Sequence, residues 1–306
     1  MTEGQRTDER PSAELARVVL DLFGVSLDDA TGGWQGEESV GWRGSSDDGD
    51  RFVQRFPGWR AADDLAWCDS VATAASTTAT ACIHGIRSRD GRVAVPTAAG
   101  PVMVFPFVEG SHPVSGARLL EQAAGLLASM HRGIASAWSG PDRPTSALRY
   151  GPAETRSDGP LVDAELDRLE RSVDAAGARL PIHGDFYGGN LIVAEDHVAG
   201  VVDWSDAHVA PFEQEVGWAT WEFCQNEAGD DLVDDRAETF LQIYKESGGP
   251  ADVNMPFDPM PWIRMRLRAE AGSWFADPRS EIEHSDYHEA QIVAFERLRT
   301  RRLAGR

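Results

Sequence analysis

Apolar positions recur at three- and four-residue intervals through "SAELARVVLDLF" (residues 12–23), which predicts an amphipathic helix capped by Ser12. The period then changes. Through "DDATGGWQGEESVGWRGSSDDGDRFVQRFP", Val40, Trp42 and Phe52 alternate with polar residues around "DDGD". This predicts strand, Gly-rich turn, strand, Asp/Gly turn, strand. "AADDLAWCDSVATAAS" returns to a helical pattern, and "RVAVP" and "GPVMVFPFVEG" predict two more strands, the second stopped by Gly110. Beyond it the helical period dominates: "GARLLEQAAGLLASMHRGI", "LVDAELDRLERSVDAAGARL", "EQEVGWATWEFCQ", "DLVDDRAETFLQIYKES", "PWIRMRLRAEAGSWF" and "YHEAQIVAFERLRTRR". The expected class is α+β: a small N-terminal antiparallel sheet with a helix over residues 1–108, then a larger, mostly helical lobe over residues 109–306.

One stretch breaks the helical pattern. In "LPIHGDFYGGNLIVAEDHVAGVVDW" a short apolar run leads into a polar loop, a strand "LIV", a turn and a returning strand "VVDW". Buried polar groups are costly unless paired, so a loop with His183, Asp185 and Asn190 beside a strand ending in Asp203 needs a physical reason. The hairpin predicts that the oxygen-bearing side chains of Asp185, Asn190 and Asp203 converge at its mouth. Oxygen-only donors suit a hard cation such as Mg²⁺. A carboxylate and an amide, with phosphate completing the shell, is how a nucleoside triphosphate is presented for transfer.

Composition narrows the classes. The net charge is −21 in 306 residues, which argues against nucleic acid or an anionic membrane as a partner and is compatible with a cationic ligand. No run approaches the roughly 20 apolar residues of a membrane span. "MTEGQRTDER" lacks the basic start and apolar stretch of a signal peptide, and Cys68, Cys82 and Cys224 are few and far apart, so a cytoplasmic protein without disulfides or zinc is expected. The basic residues are almost all Arg, and Lys245 is the only lysine.

"HGDFYGGN" resembles the H-G-D-x-x-x-x-N pattern of the aminoglycoside phosphotransferase and choline kinase-like family, and "VVDWSDA" resembles that family's second metal-binding segment. The resemblance implies a bilobal protein-kinase-like fold and a phosphotransferase using ATP or GTP with Mg²⁺. It makes Asp185 the base toward the acceptor hydroxyl, Asn190 and Asp203 the Mg²⁺ ligands, and His183 an anchor of the loop. Gly32, Gly33 and Gly36 would form the loop over the phosphates. "VMVFPFVEG", with Phe105 and Phe107, is similar to the strand and hinge that hold the base. The family's lysine is replaced: Arg55 in "RFVQRF" takes its position, with Asp64 as the acid on the following helix and Asp63 and Asp69 as competitors.

The acceptor would lie over the catalytic loop against C-terminal helices. Glu213, Glu215, Glu222, Glu270 and Asp286 are candidate acids there, and Trp262 and Trp274 candidate stacking surfaces. The same acids also fit solvated helix faces. The expected partner is a small molecule, cationic if it matches the acids, acted on by a monomer or homodimer. Within the kinase reading, an antibiotic is the favoured acceptor; a choline-, homoserine- or sugar-type metabolite is the alternative. A nucleotide-binding pseudokinase is a second class, prompted by the missing lysine. A metallophosphoesterase is disfavoured, because it needs more His and Asp ligands than this chain clusters.

Overall fold

The structure, a computed structural model, describes residues 5–28, 33–35, 39–113, 116–141, 161–175, 180–253, 257–276 and 285–303. The chain divides into two compact units: Met1–Pro113 with Gly189–Asp206, and Val114–Gly188 with Ala207–Arg306.

The first unit is built on a six-stranded antiparallel sheet. Its elements are β1 (Gln5–Thr7), α1 (Ala13–Phe23), β2 (Gly33–Gln35), β3 (Val40–Ser46), β4 (Gly49–Arg55), α2 (Ala62–Ser76), β5 (Ala94–Val95) and β6 (Val102–Pro106). The strands lie in the order β1-β2-β3-β4-β6-β5. The hydroxyl of Ser12 accepts the Leu15 N–H at 3.1 Å, and Gly24 closes α1 at φ 69°. The β3–β4 turn falls on Asp47–Asp48, where the sequence predicts it, with Gly49 at φ 105°.

Alternation along the strands sorts two cores. Val40, Trp42, Val53, Val102 and Val104 pack with Leu15 and Val19 of α1, while Met103 and Ala94 pack with Leu65 of α2. Gly41 is required by packing, since a Cβ there would lie 2.1 Å from Phe52 Cζ.

The hairpin of β8 (Leu191–Ala194) and β9 (His197–Val201) also belongs to this unit. Backbone pairing explains why it sides with the sheet rather than with residues 109–306, where the sequence placed it. Ser111 and Val193 exchange N–H···O bonds of 3.0 and 2.8 Å. Val201 bonds to Ala81 and Ile83 at 2.8 and 3.0 Å.

The second unit carries α3 (Leu120–Ala137), α4 (Ala164–Ala175), β7 (Leu180–Ile182), β10 (His208–Ala210), α5 (Phe212–Cys224), α6 (Asp234–Glu246), α7 (Met260–Ala276) and α8 (Ser285–Leu298). β7 and β10 form a two-stranded antiparallel ribbon. Leu127, Met130, Ile134, Val216, Phe223, Phe240, Tyr244, Ile263, Leu267 and Phe295 are buried. Helix α7 shows how sequence sets face. At about 100° per residue, Arg264 and Arg268 share one side and Arg266 falls on the other. Arg264 pairs with Asp163 at 2.8 Å and with Glu165; Arg268 pairs with Asp167 and Glu170, each at 2.7 Å. That side straps α4 to α7. Among the described residues no helix is long and apolar enough to cross a membrane.

Candidate active site

In the second unit, β7 delivers the chain into His183-Gly184-Asp185. Gly184 sits at φ 85°, a region costly for any residue with a Cβ. His183 is fully buried, and its Nδ1 accepts the Asp185 N–H at 3.3 Å. Behind the loop lies Glu215, 2% exposed, which accepts the backbone N–H of His183 at 3.2 Å and of Gly184 at 2.6 Å.

Glu215 also bonds His131 Nε2 at 2.8 Å, and His131 Nδ1 meets the Tyr244 hydroxyl at 2.8 Å. In the bond to the Glu215 carboxylate the ring Nε2–H donates, and the Tyr244 oxygen accepts the Ala251 N–H at 3.1 Å. Burial pushes the Glu215 carboxyl up. The His131 hydrogen bond and charge, with His183 and the Gly184 N–H, outweigh it and hold the group below its ordinary range.

The Asp185 carboxylate, one quarter exposed, is held from the side by Arg266. One guanidinium nitrogen donates to the Gly184 carbonyl at 3.0 Å and another to Asp185 Oδ1 at 3.2 Å. Arg266 Nε lies 2.7 Å from Glu270, and the guanidinium sits 4.8 Å from the Trp218 ring. The buried Trp218 indole N–H meets no acceptor among the described residues. Glu222, one turn further along α5, feels Asp185, Arg266 and Glu270. Burial first, and the Asp185 charge second, push its carboxyl up to about 8.

In the first unit, the β8–β9 register sets Leu191 opposite Val201, and Val202 N–H donates to the Asn190 carbonyl at 3.0 Å. Asn190 and Asp203 therefore leave the same end of one hairpin. Asn190 is buried and Asp203 exposed. Asp203 adopts φ 58°, and its Oδ1 accepts from the Ser205 hydroxyl at 2.7 Å. A non-glycine residue at positive φ costs about 1–3 kcal/mol and persists where the surroundings enforce it. The anchor is visible: the Ser205 carbonyl takes a 3.3 Å bond from Arg60, which also lies 3.8 Å from Asp206. An amide and a carboxylate on one hairpin end form an oxygen donor pair suited to a hard cation. Among the described residues no three His, Cys, Asp or Glu side chains cluster as a metal site.

The Arg55–Asp64 expectation is corrected, and the other candidates take these places. Arg55 does not pair with Asp64: its partner is Glu9 at 3.0 Å, and its guanidinium lies 5.6 Å from the Trp42 ring. Asp64 is exposed on the first turn of α2. Its competitor Asp69 is buried and accepts the Gly85 N–H. Glu215 accepts the backbone N–H groups behind the loop, and Glu213 Oε1 accepts the Asp252 N–H at 2.8 Å. Trp262 packs against Gly217, where α5 and α7 approach closely.

Asp286 is exposed on the first turn of α8. Gly33 pairs with Thr7 in the sheet, whereas Gly32, Gly36 and the Trp274 side chain lie outside the described residues. Phe105 pairs with Phe52, and Phe107 donates its N–H to Asp50 at 3.2 Å under the Arg43 guanidinium. Arg266 was missed in the sequence. Its signal is the Arg264-Arg266-Arg268 alternation, which puts one arginine on the face opposite the other two.

Comparison with known proteins supplies the family. A family model described as a phosphotransferase enzyme family matches residues 32–251. No curated protein sequence gives a significant match. Similar solved structures include amicoumacin kinase hAmiN in complex with AMP-PNP, Ca²⁺ and Ami (TM-score 0.69, 13% identity, 92% of this chain and 91% of that one). A microcompartment-associated aminopropanol kinase is similar with TM-score 0.66 and 16% identity over 94% and 95% of the two chains. Spectinomycin phosphotransferase APH(9)-Ia with ADP and spectinomycin is similar with TM-score 0.58 and 12% identity over 94% of each chain. At these identities the likeness establishes a shared fold, that of protein-kinase-like phosphotransferases.

Proposed function

Since the chain belongs to the phosphotransferase enzyme family, we propose that it moves the γ-phosphoryl group of ATP or GTP onto a hydroxyl of a small molecule, an antibiotic in the first instance. The observation that carries the reading is the Asp185 carboxylate, one quarter exposed on a loop fixed at three backbone points. In this reading Asp185 orients the acceptor O–H and takes its proton as the oxygen bonds to the γ-phosphorus; the bond to the bridging oxygen breaks and ADP or GDP leaves. Asn190 and Asp203 fit a Mg²⁺ ion through their side-chain oxygens. When bound, that ion would neutralise charge on the triphosphate.

The antibiotic reading is supported by two of the neighbours above, which are named for amicoumacin and spectinomycin. The aminopropanol kinase neighbour supports the amino-alcohol alternative. Glu222 is a candidate for facing the acceptor, because Glu213 and Glu215 serve protein groups and Glu270 holds Arg266; with its carboxyl raised to about 8 it would meet the acceptor as a hydrogen-bond donor at neutral pH. The test is mass spectrometry of products from spectinomycin, amicoumacin, hygromycin B, choline and aminopropanol incubated with ATP or GTP. A product one phosphoryl group heavier, absent with Asp185→Asn although that variant still binds nucleotide, is the expected result. Full transfer by Asp185→Asn would sink the assignment.

A further inference from the structure

We propose that Arg266 is a positioning residue for phosphoryl transfer: its guanidinium clamps the Gly184 carbonyl and the Asp185 carboxylate as one unit. The proposal rests on reading Asp185 as the base. Two adjacent residues of the loop are gripped by two nitrogens of one planar group, at 3.0 and 3.2 Å. An ammonium offers one point charge and cannot reproduce that fork. The clamp is itself held, by Glu270 one turn further along α7 and by the Trp218 face. Arg266 is only 14% exposed, so little rotamer freedom remains to it.

The bland alternative is that Arg266 merely ties α7 to the loop for stability. The fold makes that unnecessary, because α7 is strapped to α4 by Arg264 and Arg268 on its opposite side. The charges around Asp185 point the same way. Glu222 from α5 and Glu270 from α7 act on the same electrostatic neighbourhood, with the Tyr287 hydroxyl from α8, and Arg266 is the cation set among them. Without it, Asp185 would lose the two-point contact that holds its carboxylate beside the Gly184 carbonyl. An acceptor hydroxyl needs that carboxylate in one place, and a displacement of about 1 Å can cost about a hundredfold in rate.

The experiment compares wild type, Arg266→Gln, Arg266→Lys, Asp185→Asn and the Asp185→Asn/Arg266→Gln double variant. Turnover is measured with Mg·ATP and whichever compound of the panel is phosphorylated, or as slow ATP hydrolysis if none is. Arg266→Gln is expected to lose about a hundredfold in kcat, with KM for acceptor and nucleotide within about threefold of wild type. Arg266→Lys should recover part of the loss, and millimolar guanidinium should partly rescue Arg266→Gln. The double variant should be no slower than Asp185→Asn, because Arg266 acts through Asp185. A loss confined to KM, an unchanged kcat, or additive losses in the double variant would overturn the proposal. Full activity in Asp185→Asn would instead refute the base assignment, so the two failures are distinguishable. If Arg266→Gln does not fold, the Lys variant alone decides: wild-type kcat there overturns the clamp.

Discussion

Replacing Glu215 tests the support behind the loop. Its carboxylate receives the N–H groups of His183 and Gly184 and the ring of His131, all in a region closed to water. A hydrogen bond to a charged group contributes about 1.5–3 kcal/mol, and removing one partner of a buried pair costs about 3–5 kcal/mol, because the other is left unpaired. The three bonds share one acceptor and are not additive, so Glu215→Ala is expected to cost about 4 kcal/mol. At about 2 °C per kcal/mol for a chain of this size, that lowers the Tm by about 8 °C. Glu215→Gln keeps one oxygen for a backbone N–H but brings a donor toward His131, so it should fall between.

The sign with pH is fixed by the lowered carboxyl. A group whose folded value lies below its ordinary 4.5 stabilises the fold above that value and loses the contribution as pH falls through the folded one. The Tm gap between wild type and Glu215→Gln should be full at pH 7 and shrink toward the acid limit, read by differential scanning calorimetry. Glu215→Ala melting within about 1 °C of wild type, or a gap indifferent to pH, would refute this reasoning.

Other variants probe other parts. Asp203→Gly removes a positive-φ side chain, so Tm should hold or rise by a few degrees while nucleotide-dependent turnover collapses; a fall in Tm would contradict the strain reading. Glu222 carries a carboxyl raised to about 8, so the folded chain binds its proton more tightly than the unfolded chain between the ordinary value and 8, and stability drains as pH rises through that window. Glu222→Gln should therefore gain Tm over wild type at pH 8.5 and match it at pH 5 in a thermal-shift series. Arg264→Ala takes the ion-pair partner from the buried Asp163, which among the described residues keeps only the Glu165 and Leu166 N–H groups, and should cost about 3 kcal/mol in a urea titration, with KM values unchanged.

Much of this architecture is legible in the chain because its cues are local. The helical period of residues 12–23, the Ser12 cap and the "DDGD" turn act within a few residues, and the structure uses each as read. The loop His183–Asn190 stands out because polar residues there interrupt apolar runs. What escapes reading is set by long-range pairing. Arg55 finds Glu9 rather than Asp64 because β1 and the segment after it fold back beside the sheet, and three-residue strands carry almost no periodic signal. Glu215 looks like any acid in the first turn of a helix; only His131, 84 residues earlier, and the backbone of residues 183–184 reveal its role. The hairpin 191–201 joins the sheet unit through backbone bonds to Ser111, Ala81 and Ile83, which no side-chain pattern encodes.

Asp185 is proposed to serve phosphoryl transfer to a small hydroxyl compound. Its most direct test is single-turnover transfer from γ-labelled ATP to the best acceptor of the panel, wild type against Asp185→Asn, with nucleotide affinity measured on both. Expected are label on the acceptor oxygen with wild type, transfer at least a hundredfold slower with the variant, and nucleotide affinity little changed, since removing a general base typically costs about 10²–10⁴-fold. Label transfer by Asp185→Asn at the wild-type rate would contradict it.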